Sequence, residues 1–219
     1  MRYEHEEKGE QMKILLIDDH AILRAGLKRI LIEDIGAQVG EAADAEEAMR
    51  QLQRETWDVV LLDISLPGRS GLDILPEIRS SYPLVRVIVL SSFDDQQFAV
   101  RALRDGAAAF LTKERAPREL LDAIKTVMSG RRFITADLAD RLASLIACDS
   151  PKVPHETLSS REFEVFRLIA AAKTPTEISA LLNISTKTVS TYRARILEKM
   201  NMTSSAELMQ YAIRHALVN

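Results

Sequence analysis

The sequence predicts two folds in series: a doubly wound α/β domain with five parallel strands, then an all-α domain of four helices. Three observations predict this. Short apolar runs alternate with helical periodicity five times between Lys13 and Met128, the pattern of βα units closed by right-handed crossovers. The third run, Val59-Val60-Leu61-Leu62-Asp63, is apolar without alternation, as a strand covered on both faces must be. From Leu158 onward the strand signals stop and helical stripes with capping residues remain.

Lys13–Ile17 reads as the first strand and ends in Asp18-Asp19. The stripe Ile22, Leu23, Leu27, Ile30 and Leu31 predicts a helix over 21–33. A short strand over 37–41 and a helix over 45–54, capped by Asp44, follow. After the third strand, Pro67-Gly68 marks a loop and a helix is expected over 71–80. Pro76 is in conflict with that helix, because it removes one hydrogen bond and bends the axis. The fourth strand is expected over 85–90, ending in Ser91-Ser92, and the fourth helix over 95–104. A fifth strand over 108–111 ends in Thr112-Lys113, and an amphipathic helix over 118–128 closes the series. The flavodoxin-like strand order 2-1-3-4-5 puts its switch point between the first and third strands, where ligands bind beyond the carboxyl ends. Asp18, Asp19 and Asp63 then converge in one crevice.

Composition narrows the function classes. Hydrophobic residues make up 47% and charged residues 28%, with net charge −3, so the whole chain is not an electrostatic binder of nucleic acid or membrane. The charge is uneven. Residues 158–219 hold eight Lys/Arg against five Asp/Glu, or +3, which leaves −6 on the rest. Cys148 is the single cysteine, which excludes an intrachain disulfide and a zinc–thiolate cluster. His5, His20, His155 and His215 are scattered and show no ligand spacing. No apolar run approaches the roughly 18 residues of a membrane helix, and the charged residues 1–11 read as a solvated tail without a signal-peptide core. A cytoplasmic protein without membrane association is expected.

Three crowded carboxylates repel unless a cation joins them. Oxygen ligands on rigid strand ends suit Mg2+. Ser91 and Lys113 add a hydroxyl and an ammonium along the same edge, and phosphoryl transfer needs positioning and charge neutralisation above all. An Asp carboxylate can itself accept the phosphoryl group. No glycine-rich phosphate loop follows the first strand, since Asp18-Asp19-His20 stands there. The chain therefore takes phosphate from elsewhere.

With Asp18-Asp19, Asp63, Ser91 and Lys113 at strand ends and Phe110 three residues before the lysine, residues 12–130 resemble a two-component receiver domain. The resemblance implies that Asp63 accepts phosphate from a histidine kinase. It implies Mg2+ on Asp19, Asp63 and the backbone carbonyl of Ser65, with Asp18 reaching the metal mainly through water. Lys113 pairs with the phosphate, and Ser91 and Phe110 form the switch. Proline often follows the lysine in receivers; here Glu114 does.

The stretch 131–157 reads as a linker carrying a helical segment, Ala136–Ala147, and a proline-containing end in which Cys148 is a bystander. Beyond it, Ser159-Ser160-Arg161-Glu162 has the spacing of a capping box. Helices are expected from there to Ala171, from Thr174 to Leu182, from Ser185 or Thr186 to Met200, and from Ser204 or Ser205 to Leu217. The tight turn Asn183-Ile184-Ser185 makes the middle pair a helix-turn-helix, whose second helix enters the major groove.

The runs L-S-S-R-E-F-E-V, T-E-I-S-A-L-L-N-I-S and T-K-T-V-S-T-Y-R make residues 158–219 similar to the LuxR-type helix-turn-helix. Together with the receiver this is the NarL/FixJ architecture of response regulators. By position it implies that Lys187, Thr188, Ser190, Thr191 and Ala194 face the groove of double-stranded promoter DNA. Arg193, Arg195 and Lys199 would contact phosphates, and Val189 belongs to the core. Tyr192, Ala172 and Ala194 replace residues frequent in the family. Ala206, Met209, Gln210 and Ile213 on the last helix are the dimerisation candidates for a homodimer formed on phosphorylation or on DNA, and RNA polymerase is a further partner. The expected function is transcription regulation switched at Asp63, not enzymatic catalysis beyond slow self-dephosphorylation. Two other classes stay open on the residues alone. One is a protein-interaction module; the other is a magnesium-dependent phosphatase, which the lack of an acid at Ser65 disfavours.

Overall fold

The computed structural model describes residues 11–92, 96–134, 139, 153–215 and 217–218. Most of the 1–11 tail, the expected helical segment Ala136–Ala147, Cys148 and the start of the fourth helix at Asp95 lie outside the described residues. The chain divides into two compact units, 1–134 and 135–219.

The first unit is a parallel sheet in the order β2-β1-β3-β4-β5. Its strands are β1 (Lys13–Ile17), β2 (Gln38–Ala42), β3 (Val59–Asp63), β4 (Arg86–Ser91) and β5 (Ala109–Thr112). The connecting helices are α1 (Ala21–Ile35), α2 (Ala45–Arg54), α3 (Gly71–Ser81), α4 (Gln96–Arg104) and α5 (Ala116–Met128). Val59 to Leu62 are fully buried, as a central strand covered by helices on both faces requires. On one face Leu16, Leu61 and Leu90 pack with Leu27 and Leu31 of α1 and Ile124 of α5. Burying each such side chain contributes about 1.5–3 kcal/mol.

Three strands start one residue later than the sequence pattern suggests, and two of the shifts have a clear local cause. Gly36 adopts φ +62 after α1, and the N–H groups of Gly36 and Ala37 turn back onto the carbonyls of Ile32 and Leu31. Ala37 therefore belongs to the helix cap. Val85 closes a turn onto the Tyr82 carbonyl at 3.1 Å, so β4 begins at Arg86. The third, β5, starts at Ala109 although the Ala108 N–H already bonds to Val87, a difference within the ordinary ambiguity of strand ends. At their far ends β4 and β5 pair through Ser91 and Thr112, which extends the ladder into the hydroxyl residues. Pro76 sits inside α3 without ending it. Phe133 returns to the sheet: its N–H bonds to Ala108 at 3.0 Å and its ring packs on the core.

Among the described residues from 153 on, the second unit has a 3-10 turn, Pro154–Thr157, where the last linker residues were expected. Its His155 is buried, with Nδ1 2.6 Å from the Tyr211 hydroxyl. Four helices follow: α6 (Ser160–Ala170), α7 (Pro175–Leu182), α8 (Thr186–Lys199) and α9 (Ser205–Arg214). Capping boxes built by Ser159 with Glu162 and by Thr174 with Glu177 start α6 and α7. Asn183 ends α7 at φ 49, a left-handed cap that asparagine tolerates. Buried Arg161 donates to Glu164 at 2.6 Å and to the Leu182 carbonyl at 2.7 Å, fastening α6 to the end of α7. Val189 is 2% exposed and faces the core.

Candidate functional site

The carboxyl edge of the sheet is built by side chains that the strands cannot avoid placing there. β1 ends at Ile17, so Asp18 follows it directly; Asp18 and Asp63 are both fully buried. The loop after β3 folds back onto its own strand, because the Ile64 carbonyl accepts from the Ser70 hydroxyl at 3.0 Å and the Gly71 N–H at 2.9 Å. A Cβ on Gly71 would stand 2.0 Å from the Asp63 carbonyl oxygen. Glycine is therefore what lets α3 start so close to the acceptor strand.

Lys113 reaches back from β5 into this crevice. Its Nζ is 2.7 Å from Asp63 Oδ2 and 2.8 Å from Asp18 Oδ2. Desolvation by itself would lower the Lys113 pKa, but the charges and hydrogen bonds of Asp63 and Asp18 outweigh it and the net shift is upward. Burial pushes Asp63 the other way from an ordinary carboxylate, to about 6; Lys113 opposes that rise and the Asp18 charge adds to it. The backbone N–H of Ser65 donates to Asp63 Oδ1 at 3.1 Å. A carboxylate so placed is held by donors on both oxygens, and added positive charge beside it would lower its pKa again.

The arrangement fits a divalent cation. Ligand atoms of Asp18, Asp19, His20 and Asp63 all lie within 4.8 Å of one another. Asp18 Oδ2 and Asp19 Oδ1 have Lys113 Nζ at 2.8 Å and His20 Nδ1 at 2.7 Å as their near neighbours, and carboxylates crowded in this way call for positive charge. Hard carboxylate oxygens are the donors that Mg2+ and its neighbours take.

Ser91 is 1% exposed at the end of β4, and its carbonyl accepts the Lys113 N–H at 2.7 Å. Phe110 lies beside Val89 in the ladder, 8% exposed, two residues back from that edge.

The helical unit offers a different surface. Lys187, Ser190, Thr191, Arg193, Ala194, Arg195 and Lys199 are exposed along α8, and Thr188 is half-buried. Several of them are already engaged. Thr188 bonds to the cap hydroxyl of Ser185 at 2.8 Å, Arg193 Nε donates to Ser205 at 2.8 Å, and Lys199 Nζ donates to buried Glu162 at 2.6 Å. On α9, Ala206, Gln210 and Ile213 are exposed and Met209 is half-buried, while Leu208 and Ala212 point inward.

Comparison with known proteins identifies both units. Residues 14–125 match the response regulator receiver domain, and residues 156–212 match the bacterial regulatory proteins of the luxR family. Response regulator UvrY of Escherichia coli (strain K12) is 39% identical over 210 residues, 95% of this chain and 96% of UvrY. Response regulator GacA of Pseudomonas aeruginosa is 37% identical over 210 residues, 95% of this chain and 98% of GacA. The solved structure of the response regulator RcsB in complex with DNA superposes with TM-score 0.57 at 26% identity, covering 92% of this chain and 97% of that one. The chain belongs to the NarL/FixJ family of response regulators.

This response regulator therefore joins a receiver to a LuxR-type DNA-binding domain and acts in transcription regulation. No helix among its described residues is long and apolar enough to cross a membrane. The sequence pattern pointed to Asp18, Asp19, Asp63 and Lys113, and the structure brings these together. It passed over His20, whose Nδ1 stands 3.3 Å from Lys113 Nζ; its place right after Asp18-Asp19 was the available signal. It also passed over Gly71, for which the sole trace was a Ser-Gly pair before a helix. Ala172 adopts φ 59, a left-handed backbone state that glycine takes with less strain.

Proposed function

We propose that Asp63 is the phosphoacceptor of this response regulator, with a histidine kinase as donor, and that the transfer controls binding of α8 to promoter DNA. The observation that carries this reading is the Lys113 ammonium shared between Asp63 and Asp18 at 2.7 and 2.8 Å. A carboxylate oxygen of Asp63 attacks phosphorus, the P–N bond to the kinase imidazole breaks, and the electron pair leaves with that nitrogen. Asp63 ends as an acyl phosphate. Lys113 follows the new charge, since an ammonium held by two carboxylates can move to a phosphoryl oxygen beside them. Asp18, Asp19, Asp63 and the backbone carbonyl of Ser65 would hold Mg2+, which would supply charge neutralisation for the transferring group. Ser91 and Phe110 read the result and pass it to the surface of α4, β5 and α5. The regulator needs no substrate turnover, and slow loss of its own phosphate is the only hydrolysis expected of it.

On the DNA side, Lys187, Thr188, Ser190, Thr191 and Ala194 face the major groove, and Arg193 and Arg195 serve the backbone, with Lys199 held by Glu162. Two copies pair through the exposed α9 face, and RNA polymerase is the downstream partner. Incubation with acetyl phosphate and Mg2+ is expected to add one phosphoryl group to the wild type and none to Asp63→Ala. Footprinting should show promoter protection that rises with phosphorylation only in the wild type. Equal protection in both proteins under those conditions would overturn the coupling.

A further inference from the structure

We propose that His20 is a nitrogen ligand of the receiver's cation pocket, and that it tilts the pocket toward first-row transition ions relative to Mg2+. The inference rests on the cation reading of the Asp18–Asp19–Asp63 cluster and goes beyond it in naming the donor set. The backbone N–H of His20 donates to Asp18 Oδ1 at 2.7 Å, which fixes the residue against the crevice. Its ring turns Nδ1 inward, 2.7 Å from Asp19 Oδ1 and 3.2 Å from Asp18 Oδ1, although the side chain as a whole is 57% exposed.

The polarity of that neighbourhood is the argument. Nδ1 also lies 3.3 Å from the Lys113 ammonium. A lysine ammonium only donates and an ionised carboxylate only accepts, so a single imidazole nitrogen cannot satisfy both. At the same point Asp18 Oδ2, on a fully buried residue, faces the Lys113 ammonium at 2.8 Å, and Asp19 Oδ1 faces Nδ1 itself. A cation among these atoms would meet lone pairs on the carboxylate oxygens and, in the tautomer with its proton on Nε2, on Nδ1, and would take the place of the Lys113 ammonium beside Asp18. An imidazole added to carboxylates changes selectivity as well as affinity. Nitrogen suits Ni2+, Co2+ and Zn2+, whereas Mg2+ takes oxygen almost alone.

Two measurements on the full-length protein test this. Pulsed electron paramagnetic resonance of bound Mn2+ should show the nuclear modulation of a directly bound imidazole nitrogen, lost in His20→Asn. Calorimetry should show Ni2+ affinity falling roughly tenfold in His20→Asn, the lower end of what even an outer-shell partner contributes, with Mg2+ affinity unchanged within about twofold. Asp19→Asn locates the ion, because binding in the crevice must weaken there. Mn2+ that binds in an Asp19-dependent way without nitrogen modulation would overturn the role of His20 and leave the cation pocket standing. Absence of any Asp19-dependent binding would overturn both. The exposed ring of His20 can be replaced without opening the core, and circular dichroism checks that His20→Asn is folded.

Discussion

Glu162 does two jobs with one carboxylate. It closes the capping box of α6 by accepting the Ser159 N–H at 2.8 Å, and it accepts Lys199 of α8 at 2.6 Å. Burial would raise its pKa, but Lys199 and the Ser159 N–H and hydroxyl outweigh that and hold it below the ordinary 4.5. A folded-state pKa below the unfolded one means that the unfolded chain binds the proton more tightly. The stabilisation is therefore complete above about pH 4.5 and is lost as pH falls through the lower, folded value. Glu162→Gln keeps a capping group and removes the charge. It should cost about 0.5–1 kcal/mol at neutral pH, with the difference from wild type shrinking on acidification. Urea unfolding of the two proteins at pH 7 and at pH 3.5 checks this; a constant difference would show that the charge contributes nothing.

At the scale of an element, α3 depends on how closely its first turn approaches β3. Gly71→Ala brings a methyl group into the Asp63 carbonyl, and the loop must shift to admit it. We expect a loss of about 1–3 kcal/mol in thermal unfolding, together with slower phosphorylation by acetyl phosphate, because the displaced strand end carries the acceptor. Unchanged rate and stability would show that the loop moves freely. Elements whose causes are local were legible in the sequence: Val59–Asp63 by its unbroken apolar run, α2 by Asp44, α6 by Ser159 and Glu162. The start of β2 was not, because it depends on where Gly36 sends two N–H groups after α1. Nor was the 3-10 turn at Pro154–Thr157, which polar and proline residues disguised as linker and which a contact with Tyr211 secures from 56 residues away. The site divides the same way. Asp18, Asp19, Asp63 and Lys113 follow from strand ends and topology, whereas the inward turn of the His20 ring is a tertiary fact that spacing cannot encode.

For the molecule as a whole, the basic residues of α8 separate into two kinds. Lys187 and Arg195 are exposed along the helix, while Lys199 is bound to Glu162 of α6. Arg195→Ala should lower the slope of log K for promoter binding against log salt by about 0.9, the value for one phosphate neutralised. Lys199→Ala should instead lower the stability of the helical domain and leave most of that slope intact. Equal slope changes in both variants would mean that Lys199 leaves Glu162 when DNA arrives.

Lys113 carries a consequence for how the receiver meets its ions. Its ammonium, fixed by β5 at hydrogen-bond distance from both Asp63 and Asp18, is an intramolecular rival to any cation from solution. A tethered group of this kind acts at an effective concentration on the order of millimolar or more. Lys113→Ala should therefore bind divalent ions more tightly than the wild type in the unphosphorylated state, measurable by calorimetry, even as it loses the partner for the phosphoryl group. Unchanged or weaker binding would show that the two cations do not compete. If they do, the resting protein already holds its own counter-ion, and signalling begins as an ion exchange within a pocket that the chain itself keeps partly neutralised.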